Sequence, residues 1–274
     1  MNSRVFLKTA AAVTAGGTAG CIWSALVEPR WLDTTYTQVP MTNLPVEFRG
    51  FRIALLTDIH LGPFITESWV KSVVDEINSM KIDLVVLGGD FIIQSTSYIE
   101  PCMRILADLT PPSCAVLGNH DHWEDAELTE TLLHDLAGSE VLRNRGTWMK
   151  RGDASIRIWG VGDLWEDEQL LDGCRPELYN GPVILITHNP DFAEEIPEGT
   201  ADLVLAGHTH GGQVVLPIIG APLLPSYYGQ KYRSGTVWNG NTMVYVSRGI
   251  GVGSPPVRLN CRPELAVLEL CSKN

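Results

Sequence analysis

Five short apolar runs, each ended by a small residue and then a polar one, constrain this chain more than any other feature. Residues 53–56 lead into Thr57-Asp58-Ile59-His60, 84–87 into Gly88-Gly89-Asp90, and 114–117 into Gly118-Asn119-His120-Asp121. Residues 183–186 lead into Thr187-His188-Asn189, and 203–206 into Gly207-His208-Thr209-His210. Runs of four rich in β-branched residues, bounded by Gly or Thr, read as strands covered on both faces. Helical patterns over 66–80 and 97–109 lie between the first three, and another is expected over 126–137. The spacing therefore predicts β-α-β units and a sheet that is at least partly parallel. In such sheets ligands bind beyond the carboxyl ends of the strands, and all five polar clusters fall at that edge. After His210 the pattern shifts to short strands at 213–216, 235–238, 242–247 and 265–270, with Asn239-Gly240-Asn241 as a hairpin turn. A second sheet packed on the first makes a sandwich with helices outside.

The 274 residues are 45% hydrophobic and 19% charged, enough for a sizeable core and far from a disordered composition. A net charge of -12 argues against a broad basic face for nucleic acid, while a small anionic substrate can still meet a local cation. The six cysteines are scattered without a Cys-x-x-Cys pair, so buried thiols are expected rather than a disulfide framework.

The strand-end set is Asp58, His60, Asp90, Asn119, His188, His208 and His210. It offers oxygen and imidazole but no thiolate, which suits Zn, Mn or Fe better than structural zinc or calcium. Seven ligands exceed the needs of one small ion and suit two divalent ions sharing a carboxylate.

In this order the clusters Asp-x-His, Gly-Asp, Gly-Asn-His-Asp, His and Gly-His-x-His resemble the signature of the calcineurin-like metallophosphoesterases. The resemblance covers about 49–270 and is reinforced by Gly160-Val161-Gly162-Asp163-Leu164-Trp165, Gly211-Gly212-Gln213 and Leu259-Asn260-Cys261-Arg262-Pro263-Glu264. It implies a four-layer αββα sandwich, the metallo-dependent phosphatase fold, with a catalytic domain over 49–271. By motif, Asp58, His60, Asp90 and His210 hold one ion and Asp90, Asn119, His188 and His208 the other, with a bridging hydroxide as nucleophile. His120 is expected to stabilise the phosphoryl group and protonate the leaving oxygen, with Asp121 orienting His120. The implied activity is phosphodiester or pyrophosphate hydrolysis, lipid-linked substrates included. Hydrolysis of UDP-2,3-diacylglucosamine in lipid A synthesis is an alternative. A non-catalytic scaffold is disfavoured, because His120 and all seven ligands are present.

Residues 1–31 read as an export signal or membrane anchor. Arg4 and Lys8 precede an uncharged stretch, 9–27, close to the roughly 20 residues of a spanning helix. Ser3-Arg4-Val5-Phe6-Leu7-Lys8 resembles a twin-arginine motif with one arginine, and Thr18-Ala19-Gly20-Cys21 resembles a lipoprotein cleavage box. Retention as an anchor is the alternative, and either reading puts the domain on the extracytoplasmic side of the cytoplasmic membrane. His122 reads as a solvated loop residue and His134 as a helix residue. Trp123, Trp165, Tyr227 and Tyr228 are candidates for core packing or for an apolar substrate wall. Arg248 and Arg258 flank Gly249-Ile250-Gly251-Val252-Gly253, a packed or flexible turn without dinucleotide spacing.

Overall fold

A computed structural model describes residue 18, residues 20–174, residue 179 and residues 181–273. The chain runs β1 (Asp33–Met41), β2 (Arg52–Leu56), α1 (Glu67–Ser79), β3 (Leu84–Leu87), α2 (Ile99–Leu106) and β4 (Ser113–Ala115). It continues through α3 (Asn119–Glu124), α4 (Ala126–Asp135), β5 (Glu140–Val141), β6 (Arg145–Arg151), β7 (Ala154–Gly160) and β8 (Val183–Ile186). The last strands are β9 (Leu203–Ala206), β10 (Gly235–Asn239), β11 (Thr242–Val246) and β12 (Glu264–Ser272).

Two six-stranded sheets result, ordered β1-β12-β2-β3-β4-β5 and β10-β11-β9-β8-β7-β6. Strands β2 to β5 are mutually parallel and β12 runs against β2. In the second sheet β7, β8, β9 and β11 are parallel, with antiparallel β6 and β10 at the edges.

The apolar runs are continuous because both faces of each strand are covered. Ile53 and Leu55 of β2 join Ile184, Ile186, Leu203 and Leu205 in the core between the sheets. Ala54 and Leu56 point the other way, into the core beneath the helices. Helix α1 starts where the Thr66 side chain accepts from the Trp69 N–H, a cap that satisfies one orphan donor of the first turn. Its Val70, Val73, Val74 and Ile77 recur at helical spacing and are buried against the first sheet. The outer face of the second sheet is covered differently: among the described residues the short 3-10 turns Pro190–Glu194 and Gly229–Tyr232 place Phe192 and Tyr232 there.

Three sequence readings need correction. The 213–216 stretch is not a strand; it makes only isolated bridges, Val214 to Leu259 and Leu216 to Gly220, because Gly211, Gly212 and Gln213 all take positive φ and curl the chain. The sheet also begins before the expected boundary at 49, since β1 pairs in parallel with β12 along its whole length. Strands β6 and β7 were not anticipated. Residues 1–17 and residue 19 of the expected export segment lie outside the described residues, and among those described no helix is long and apolar enough to cross a membrane.

Candidate metal centre

At the ends of the central strands the backbone turns through left-handed conformations. Asp58, His60, Asp90, His208 and His210 all have φ between 48° and 68°, a region that Asp and His visit more readily than β-branched residues. Strain of this sort is held where surrounding packing overrides it. Close approach is obligatory at Gly118: a Cβ there would stand 2.2 Å from Asp90 Oδ1 and 2.8 Å from His188 Cε1. The Gly249–Gly253 turn proves to be tightly packed, with the Gly251 N–H donating to the Asp58 carbonyl at 2.7 Å.

These turns bring the expected ligands into two groups sharing Asp90. Asp58, His60, Asp90 and His210 form one, and Asp90, His188 and His208 the other, with ligand atoms within 4.8 Å of one another in each. Asp90 Oδ2 lies 3.4 Å from His60 Nε2 and 3.2 Å from His188 Nε2. His60 Nε2 and His210 Nε2 face each other at 3.1 Å, and His210 Nε2 is 3.5 Å from Asp58 Oδ1. His208 Nδ1 approaches His188 Nε2 at 3.3 Å. Asn119 shares a cavity with Asp90 and His208, and its buried Oδ1 has no hydrogen-bond partner among the described residues.

The donors fit divalent cations. His188 Nδ1 lies 2.8 Å from the Gly88 carbonyl oxygen; donating there, it leaves the Nε2 lone pair free, the outer hydrogen bond typical of a ligating imidazole. Burial pushes His60 and His208 down to about 3, so both are neutral donors at ordinary pH. Burial, with Asp90 adding to it, raises the Asp58 carboxyl to about 7. Burial works against the charges on Asp90 and His188 as well, but their mutual attraction prevails: Asp90 is held well below the carboxylate range and His188 well above the imidazole range. A proton on His188 thus partly neutralises two buried carboxylates, and a cation can take over that task.

His120 donates its backbone N–H to Asp90 Oδ1 at 2.9 Å, and its half-buried ring packs edge-on against His60 and Trp123 at 4.7 and 4.5 Å. Asp121 is not its orienting partner, contrary to the sequence reading. The Asp121 carboxylate accepts from the backbone N–H groups of Asp90, Phe91 and Gly118 at 2.8, 2.9 and 2.9 Å, and among the described residues it makes no hydrogen bond to the His120 ring. The two are adjacent on α3, where neighbours in sequence do not face each other. Asp121 instead clamps together the two loops that carry Asp90 and Asn119.

Trp123 and Trp165 line a cavity of about 750 Å³ over the ligands, whereas Tyr227 and Tyr228 are exposed outside it. Trp165 packs edge-on against His208 at 4.5 Å. Asp163 fixes the Trp165 loop by accepting from the Trp165 and Glu166 N–H groups. His122 belongs to α3, with its Nε2 buried, rather than to a solvated loop. His134 is exposed beside Asp135. Sequence reasoning placed Arg258 only as a flank of the glycine-rich turn and gave it no role; it is fully buried and donates to the carbonyls of His210, Arg248, Gly249, Gly251 and Cys261. It ties the His210 turn to the loop packed on Asp58; a lone arginine near Pro255-Pro256 carries no local signal of this.

Two mixed sheets packed face to face, with Asp and His clusters at their carboxyl edge, define a metallophosphatase-type fold. The chain belongs to the calcineurin-like phosphoesterase family, whose model matches residues 51–212. It is 34% identical to the metallophosphoesterase YkuE of Bacillus subtilis, an alignment covering 100% of this chain and 99% of that one. Against the phosphodiesterase YaeI of Escherichia coli it is 31% identical, over 98% and 99% of the two chains. The crystal structure of TT1561 of Thermus thermophilus superposes with a TM-score of 0.49 at 16% identity, covering 73% of this chain and 90% of that one.

Proposed function

We propose that this metallophosphoesterase is a binuclear phosphodiesterase. The observation that carries the reading is the pair of buried donor groups sharing Asp90 beneath a cavity that also admits His120. Asp58, His60, Asp90 and His210 would hold one divalent ion, and Asp90, Asn119, His188 and His208 the other. Mn, Fe and Zn all suit the donors. Such a pair supplies activated water and charge neutralisation at the phosphoryl oxygens.

The chain supplies the rest. Asp121 holds the Asp90 and Asn119 loops in register through three backbone N–H groups. His120 lines the cavity, where its ring, when protonated, can donate to the leaving oxygen; burial lowers its proton affinity below the ordinary imidazole value, and the nearby Asp90 opposes this only in part. Trp123 and Trp165 give the cavity an aromatic wall beside the donors. The relative YaeI is named a phosphodiesterase, which supports diester over monoester chemistry. We also place the domain outside the cytoplasmic membrane, on the strength of Arg4 and Lys8 before the uncharged stretch 9–27; a topology-reporter fusion checks this.

The test is turnover of bis(p-nitrophenyl) phosphate by purified protein loaded with Mn, Fe or Zn. Metal-dependent release of p-nitrophenol is expected, and no turnover with any first-row divalent ion overturns the reading.

A further inference from the structure

The cavity mouth is bordered by apolar side chains that are left facing solvent. Beyond Gln213 the chain runs out to a hairpin closed by reciprocal Leu216 and Gly220 backbone bonds of 2.9 Å. At its tip Ile218 is wholly exposed (107%) and Ile219 is 68% exposed. Ile218 holds φ at 71°, a conformation that β-branched side chains resist and that Asn or Gly would occupy at less cost. The returning limb brings Pro222, Leu223 and Leu224 into the cavity wall.

The apolar border continues around the mouth. Gly253-Ser254-Pro255 line the main cavity, while their neighbours Val252 and Pro256 line a smaller cleft of about 280 Å³ with Leu26 and Phe64. The N-terminal turn is tied to the same strip. Arg258 N–H donates to the Ser24 carbonyl at 2.8 Å, Cys261 N–H to Glu28 Oε1 at 2.6 Å, and Val215 N–H to the Leu259 carbonyl at 2.8 Å. That turn leaves Ile22, Leu26 and Val27 exposed, and these residues are the last part of the uncharged stretch 9–27. Trp23 and Trp31 pack edge-on beside it at 5.7 Å, with the Trp23 indole N–H donating to Glu28, an amphipathic pairing suited to a lipid–water boundary.

We propose that this strip is a bilayer-docking surface: the 216–223 loop, Phe64 and the N-terminal turn enter the interface together and set the cavity mouth on the membrane. The substrate class that follows is a membrane-resident amphiphilic phosphoester whose apolar part stays in contact with lipid and the Leu223–Leu224 wall. This second half rests on the phosphodiesterase reading above. With a net charge of -12, attachment comes from apolar burial rather than attraction to anionic lipid, so it tolerates salt and zwitterionic membranes.

The experiment follows hydrogen exchange at the 218–220 amides in the full-length protein, with and without phosphatidylcholine vesicles. Exchange is expected to slow by about tenfold or more on adding vesicles, in low and high salt alike. The double variant Ile218→Asn/Ile219→Ser, which relieves the strained φ, should fold normally and lose that slowing. It should also keep wild-type turnover of bis(p-nitrophenyl) phosphate while losing turnover of a phosphodiester lipid embedded in the vesicles. Unchanged exchange on adding vesicles overturns the docking surface, as does slowing that appears with protein concentration alone, which would mark self-association. Slowed exchange with no turnover of either substrate keeps the docking surface and removes the phosphodiesterase reading.

Discussion

Replacing Gly118 with Ala separates the integrity of the fold from the integrity of the metal centre. The Gly118 backbone is extended, at φ -107° and ψ 176°, so alanine meets no dihedral penalty and its whole effect is steric. The added methyl would lie 2.2 Å from Asp90 Oδ1 and 2.8 Å from both the Asp90 nitrogen and His188 Cε1. Restoring ordinary contact at the carboxylate requires a retreat of roughly 1 Å or more, given optimal separations near 3.5 Å. Overpacking of this kind costs about 1–3 kcal/mol, which a domain stabilised by roughly 5–15 kcal/mol survives. The centre is less forgiving, because Asp90 serves both donor groups, and a misplacement of about 1 Å can cost ~100-fold in rate. Urea unfolding in the presence of chelator should therefore show a modest loss of stability. Calorimetric titration with Mn should show at least one ion bound much more weakly, on the order of 10–100-fold. Two ions bound at wild-type affinity would refute the reasoning, since the shared carboxylate would then not depend on the space that glycine leaves.

Other substitutions probe the surrounding contacts. Asp121→Asn sets an amide N–H₂ against backbone donors and should cost about 1–3 kcal/mol in urea unfolding, whereas a residue that only oriented His120 would leave stability unchanged and alter the pH–rate profile. His120→Ala should retain both ions by calorimetry and lower kcat by about 10²–10⁴-fold. Arg258→Met removes the guanidinium donor from five carbonyls, of which His210 and Gly249 keep backbone donors from Gln213 and Glu264, and should cost about 3–5 kcal/mol by denaturant unfolding, with weaker metal binding at the His210 side. Metal affinity should rise with pH: Asp58, raised to about 7, and His188, held well above its ordinary range, must each lose a proton to ligate. Proton release seen by calorimetry in buffers of different ionisation enthalpy checks this, and affinity that is flat from pH 6 to pH 8 counts against it, about one unit either side of the Asp58 value.

The donor residues were legible because two constraints coincide in a short stretch of chain. Doubly covered parallel strands must be apolar throughout, and the side chains just beyond their carboxyl ends are free to be polar, so Asp58, Asp90, His188 and His208 stand out against the runs that precede them. The left-handed turns at Asp58, His60, Asp90, His208 and His210 were not legible, since Asp and His carry no local mark of positive φ as glycine does. Strand β1 was hidden for another reason: its partner β12 lies at the other end of the chain, Asp33 opposite Glu264, and its half-polar pattern reflects an edge position. Asp121 misled because adjacency to His120 suggested contact, yet helical geometry turns adjacent side chains apart and hands the carboxylate to backbone donors 30 and 31 residues away. Arg258 shows the same limit more sharply. Apart from a long contact to Cys261 Sγ, its acceptors are main-chain carbonyls, which every residue possesses, so no residue type elsewhere in the sequence announces the partner. Side-chain chemistry that must be of one kind can be read from the order of residues. Positioning that works through the backbone becomes visible only when the loops are brought together, and here it is those backbone contacts that hold the readable Asp and His side chains in place.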